Sequence, residues 1–79
     1  MKISEASKYS IRNREQLEAS KIAGCYYCCN LFLPIVIDYW VDNQKTAICP
    51  LCGIDAVIGD ASPYEINSDT LKMLNSYWF

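Results

Sequence analysis

Two short stretches, Cys25-Tyr26-Tyr27-Cys28-Cys29 and Cys49-Pro50-Leu51-Cys52-Gly53, carry all five cysteines of this 79-residue chain. Cys25 and Cys28 make one C-x2-C unit and Cys49 and Cys52 a second, with 20 residues between Cys28 and Cys49. That separation is at the long end of the spacing expected of a zinc site. Two residues between ligands let a tight turn present both thiolates to one tetrahedral ion, about 2.3 Å from each sulfur. Pro50 and Gly53 suit such a turn, because proline fixes φ and glycine accepts the positive φ that follows. The pattern therefore predicts one structural Zn2+ held by Cys25, Cys28, Cys49 and Cys52. Iron in the same four-thiolate geometry is the alternative metal.

The same residues argue against catalysis. Catalytic zinc keeps a coordination position open, whereas four thiolates close the sphere. The chain has no histidine, the commonest general base. Asp55 and Asp60 follow the second cysteine pair, but five residues apart they make a weak acid–base pair. Asp55 is expected instead to bond backbone amides around that turn, or to orient the thiolate loop from behind the ligands. No nucleophile with a partner base is visible, so a non-enzymatic protein is expected. A thioredoxin-like role for either C-x2-C lacks the βαβ pattern around it.

Cys29 is the surplus thiol. Adjacent residues do not both face one ion at good geometry, so the spacing selects Cys28 as ligand and leaves Cys29 as a small buried hydrophobe. The sharper alternative is a labile fifth thiol that exchanges into the site or responds to oxidants.

The composition is that of one small globular domain: 52% hydrophobic, 13% aromatic, three Gly and three Pro. A chain this short buries only roughly 60% of the surface its unfolded form exposes, so a metal staple is physically reasonable. The longest apolar run, Leu31 to Ile37, is interrupted by Pro34 and is far too short to span a membrane. The first residues lack the apolar stretch of a secretory signal. A cytoplasmic location is expected, where thiols stay reduced and free for metal. The net charge is −2, with Lys2, Lys8, Arg12, Arg14 and Lys21 gathered in the first 24 residues. That uneven spread admits a basic arm, although the whole chain lacks the basic character of a nucleic-acid binder.

These cysteines need elements to position them. Residues 1–12 are expected to be a flexible tail, followed by a single domain over 13–79. Asn13 and Gln16 suggest a capping box opening a helix that ends at Gly24. Leu31 to Leu33 is expected as a strand, Ile35 to Val41 as a second extended piece, and Asp42 to Lys45 as the turn of a hairpin returning through Thr46 to Ile48. Ala56 to Ile58 fits a strand or a helical turn. Asn67 or Ser68 caps a last helix whose apolar side is Leu71, Leu74 and Trp78, docking on the hairpin.

From about Asn13 to Phe79 the chain resembles a family of short bacterial cytoplasmic proteins of unknown function with a four-cysteine, zinc-ribbon-like CxxC…CPxCG pattern. The resemblance rests on Glu18-Ala19-Ser20, Gly24-Cys25, Tyr27-Cys28, Phe32, Pro34, Ile37, Trp40-Val41-Asp42, Gln44, Thr46-Ala47, Cys49-Pro50, Cys52-Gly53-Ile54-Asp55, Val57-Ile58-Gly59, Ala61-Ser62, Tyr64, Ile66 and Trp78-Phe79. It departs where Ile11 replaces a histidine, Cys29 a larger apolar residue, and Pro63-Tyr64-Glu65 a Gly-Tyr-Pro order. The resemblance implies a zinc-ribbon-like domain and no particular activity.

The expected fold is α+β: a small four-cysteine zinc ribbon of two knuckles and a β-hairpin, flanked by N- and C-terminal helices. A treble clef, with a helix opening at Cys52 and running through Ile54 to Ile58, is the alternative. The expected function is a protein–protein adaptor or regulator, monomeric or homodimeric, with an unidentified protein partner and no membrane. The alternatives are a nucleic-acid-binding ribbon using Arg12, Arg14, Lys21 and an aromatic, and a thiol-based redox or metal sensor.

Overall fold

A computed structural model describes residues 2–79. Its centre is a three-stranded antiparallel sheet in which β1 (Ala23–Cys25) lies between β2 (Leu31–Phe32) and β5 (Val57–Gly59). Ala23 pairs with Phe32 on one side and Gly59 on the other, and Gly24 with Leu31 and Ile58. β1 and β5 are buried along their whole length. A separate hairpin pairs β3 (Trp40–Val41) with β4 (Thr46–Ala47) and leads directly to Cys49. Its turn holds Asp42, Asn43 and Gln44 at positive φ of 55°, 61° and 67°. The short polar side chains of Asp42 and Asn43 tolerate that conformation, and Asp42 Oδ2 accepts from the Thr46 hydroxyl at 2.9 Å.

The last helix, α3 (Ser68–Trp78), begins as the sequence suggests. Asn67 caps it, its side chain accepting from Thr70 N–H at 2.8 Å. Leu71 and Leu74 are fully buried. The helix docks on β1, however, and not on the hairpin. A Cβ at Gly24 would stand 2.7 Å from Leu71 Cδ1, so the glycine lets strand and helix touch. At its far end Trp78 Nε1 donates to the Ile3 carbonyl at 3.0 Å.

Ile3 belongs to a segment expected as a tail, and here the structure corrects the expectation. Ile3–Glu5 forms a 3-10 turn and Ala6–Tyr9 a helical turn, α1. Ala6 is fully buried, Tyr9 packs edge-on against Tyr64 at 5.7 Å, and the Tyr64 hydroxyl donates to the Lys2 carbonyl. Few apolar residues were needed to attach it, because the hydrogen bonds come from side chains far along the chain. The part of that tail formed by Met1 lies outside the described residues.

The helix expected from Asn13 to Gly24 is also shorter. α2 covers only Arg14–Glu18, and Asn13 and Gln16 make no capping box. Instead, Asn13 Nδ2 donates to the carbonyls of Tyr9 (3.1 Å) and Val57 (2.7 Å), and its Oδ1 accepts from Ala47 N–H (3.2 Å). Gln16 donates to the Tyr9 carbonyl and accepts from Gly59 N–H at 2.8 Å. Both amides join elements remote in sequence. Pro34–Val36 forms a 3-10 turn with Pro34 at its start, so the extended piece expected over Ile35–Val41 is limited to Trp40–Val41. Residues 57–59 are a strand, so the helix that the treble-clef alternative needed through Ile54–Ile58 is not formed. The α+β ribbon with flanking helical segments stands.

Candidate metal centre

β1 ends at Cys25, and the turn that follows carries Cys28 back toward β2. The second turn, after the hairpin, carries Cys49 and Cys52. Their hydrogen bonds repeat one another at an interval of 24 residues. Cys25 N–H donates to the Asn30 carbonyl and Cys49 N–H to the Ile54 carbonyl, both at 3.0 Å. Cys29 N–H donates back to the Cys25 carbonyl at 2.8 Å, and Gly53 N–H to the Cys49 carbonyl at 3.0 Å. Tyr27 N–H points at Cys25 Sγ (3.3 Å) and Leu51 N–H at Cys49 Sγ (3.4 Å). The fifth residue of each knuckle has positive φ: 62° at Cys29 and 80° at Gly53.

The two knuckles face each other so that the first cysteine of each meets the second of the other. Cys25 Sγ lies 3.6 Å from Cys52 Sγ, and Cys28 Sγ lies 3.8 Å from Cys49 Sγ. All four sulfurs fall within 4.8 Å of one another, and all are free thiols. An ion about 2.3 Å from four tetrahedral sulfurs would space them about 3.8 Å apart, whereas a disulfide needs about 2.05 Å. The donor set therefore fits one metal ion, and Cys25, Cys28, Cys49 and Cys52 are brought together as the sequence predicts.

Electrostatics point the same way. Burial pushes the Cys25 thiol well above the ordinary thiol range, against the hydrogen bonds it receives in its knuckle. Burial likewise raises Cys52. Burial also works against ionisation of Cys28, but hydrogen bonds from the side chain and backbone of Asn30, then from Cys49, outweigh it and bring that thiol down to about 7. One thiolate forms readily. Four like charges this close do not coexist without a cation between them.

Cys29 stands outside the cluster. Its left-handed backbone sends the side chain to the far side of the turn, where Sγ lies 3.7 Å from the Leu71 carbonyl of α3. It is half-buried against the core and not fully enclosed. The acid that binds backbone is Asp60, whose Oδ1 accepts from Lys21 N–H at 2.8 Å and Ile22 N–H at 3.4 Å. Asp55, expected in that role, has no such bond among the described residues. Arg14 is committed within the fold: it pairs with Glu18 at 3.3 Å, donates to the Gln44 carbonyl at 3.0 Å and lies 4.4 Å over the Trp40 ring. Arg12, Arg14 and Lys45 border a depression shared with Glu15, Glu18 and Asp42, a surface of mixed sign. No helix among the described residues is long and apolar enough to cross a membrane.

Asn13, Gln16 and Gly24, which hold the elements behind the knuckles, were missed as positioning residues. A buried amide leaves no periodic signal in a sequence, and at positions 13 and 16 it imitated a cap. Comparison with models of protein families, with curated proteins and with solved structures finds no match in any of the three.

Proposed function

We propose that Cys25, Cys28, Cys49 and Cys52 bind one zinc ion as a structural staple, and that the chain serves as a non-enzymatic adaptor or regulator binding another protein. Four thiolates would complete a tetrahedral sphere and leave no position for a substrate. The adaptor reading is carried by one observation, the exposed apolar run after β2. Leu33, Ile35, Val36 and Tyr39 all face outward, and Ile35 is 87% exposed. A domain with so little core to spare does not expose consecutive large apolar side chains without a use for them, and such patches mark interaction sites. The family resemblance and a reducing bacterial cytoplasm belong to the same reading.

The mixed-sign surface around Arg12 and Arg14 disfavours the nucleic-acid alternative, since a phosphate-binding face concentrates one sign of charge. The test is a tagged pull-down from the native host's lysate, with and without nuclease, read by mass spectrometry. The adaptor reading expects a stoichiometric protein that survives nuclease and 0.5 M salt. Recovery that vanishes with nuclease, or falls steeply with salt, overturns it.

A further inference from the structure

We infer that Asn75 of α3 is a positioning residue for the metal, clamping the first knuckle in its ligating shape. Cys25 and Cys28 are then the standing half of the site, and the second knuckle, with Cys49 and Cys52, is the half that opens and closes. The inference rests on the zinc reading and adds to it which side of the site lets the ion in and out. It starts from the two residues inside the first C-x2-C unit. One side-chain amide of α3 reaches both: Asn75 Nδ2 donates to the Tyr26 carbonyl at 3.1 Å and to the Tyr27 carbonyl at 2.9 Å. An amide nitrogen carries two N–H donors, so each carbonyl receives its own.

The same two residues are tied down elsewhere. Tyr26 N–H donates to the Ala56 carbonyl at 2.9 Å, which carries the pairing of β1 with β5 one residue past Cys25. The Tyr26 side chain is buried, and its hydroxyl lies 2.9 Å from that of Ser10. The Tyr27 ring meets Phe79 edge-on, with centroids 4.8 Å apart. None of these contacts passes through a ligand sulfur, so they hold the first knuckle when a thiolate lets go.

The second knuckle repeats the turn without the clamp. Pro50 and Leu51 stand where Tyr26 and Tyr27 stand in the first, and neither carbonyl has a partner among the described residues. Contacts between sulfurs apart, the hydrogen bonds of residues 49–55 end inside the turn: Cys49 N–H on the Ile54 carbonyl, Gly53 N–H on the Cys49 carbonyl and Leu51 N–H on Cys49 Sγ. Ile54 packs against the core where the chain leaves, whereas Leu51 at the tip is exposed. Static exposure does not separate the halves, since Cys25 and Cys49 are buried and Cys28 and Cys52 are half-buried. A difference in thiol access between them therefore reads motion. Two net hydrogen bonds bias a local opening equilibrium by roughly tenfold.

The test treats the zinc-saturated chain with iodoacetamide so sparsely that no chain takes more than a single label, and maps the label by peptide mass spectrometry. Native mass spectrometry of the untreated protein counts the zinc. The expected result is one zinc per chain and roughly tenfold more label on Cys49 and Cys52 together than on Cys25 and Cys28. Asn75→Ala removes both donors and raises intrinsic helix propensity, so α3 is kept. It should bring that ratio below about threefold with zinc still bound. A substitution that only weakened the fold would raise labelling of all four ligands together. An unchanged ratio in Asn75→Ala therefore overturns the role of Asn75. The parent's ratio is read without any substitution: an even spread of label over the two knuckles, or an excess on Cys25 and Cys28, overturns the inference and leaves the zinc reading standing. A parent that holds no zinc overturns both.

Discussion

Gly53→Ala isolates the geometry shared by the two knuckles. At Gly53 φ is +80°, and a Cβ built there meets nothing within 4 Å. The substitution therefore brings no clash, and its cost is backbone strain alone. A left-handed conformation costs a non-glycine residue about 1–2 kcal/mol. The stiffer unfolded chain returns about 0.4–1 kcal/mol of that. The net loss is about 1 kcal/mol, and because metal binding and folding are one process in small zinc domains, it should appear as a zinc affinity weaker by roughly fivefold. Competition against a chromophoric chelator at fixed pH measures it. Cys29 provides the control from the matching position, at φ 62°. Cys29→Asn, a residue that tolerates this conformation, should hold zinc about as well as the parent, and Cys29→Val, branched at Cβ, markedly worse. If Gly53→Ala binds zinc as tightly as the parent, or Cys29→Val matches Cys29→Asn, the claim that the knuckles repeat one strained turn is wrong.

Asn13→Leu should destabilise the zinc-loaded protein by about 2–4 kcal/mol in urea unfolding, because it strands the buried Val57 carbonyl and Ala47 N–H; a change below 0.5 kcal/mol, roughly the surface-substitution range, would refute the cross-link. Gly59→Ala should also destabilise, since its Cβ would meet Ser20 Cβ at 2.8 Å and the buried Leu17 Cδ2 at 3.0 Å. Thermal melts at saturating zinc check this, and an unshifted melt would contradict the close approach of α2 to β5. In metal-free protein Cys28 should be the first ligand thiol alkylated by iodoacetamide. Its rate should rise with pH through about 7, as the thiol that Asn30 helps to ionise loses its proton, and saturating zinc should suppress labelling; peptide mapping reads both.

The gathering of Cys25, Cys28, Cys49 and Cys52 into one cluster was legible in the sequence because C-x2-C spacing states a geometric demand directly. Gly53 announced its own left-handed turn, and Asn67 announced the start of α3. Cys29 did not announce the same turn, since a cysteine there carries no sign of positive φ; only the parallel with Gly53 at the fifth position of the second knuckle held that signal. The N-terminal segment was misread for a related reason. Ala6, Tyr9 and Ile3 have no helical period long enough to register, and what fastens them is the Trp78 indole and the Tyr64 hydroxyl from the other end of the chain. Asn13 and Gln16 fitted a local cap, and tertiary hydrogen bonds used them instead. Local pattern identified which four cysteines come together at the knuckles, while the supports behind them depend on contacts between residues more than 30 positions apart.

The central claim is that four particular thiols, and not the fifth, make the metal site. Native mass spectrometry of the parent, Cys28→Ala and Cys29→Ala, each purified with excess zinc and desalted, tests it most directly. The account predicts one zinc per chain in the parent and in Cys29→Ala, and loss of stoichiometric zinc in Cys28→Ala. A parent without metal, or equal loss from the two substituted chains, would contradict it.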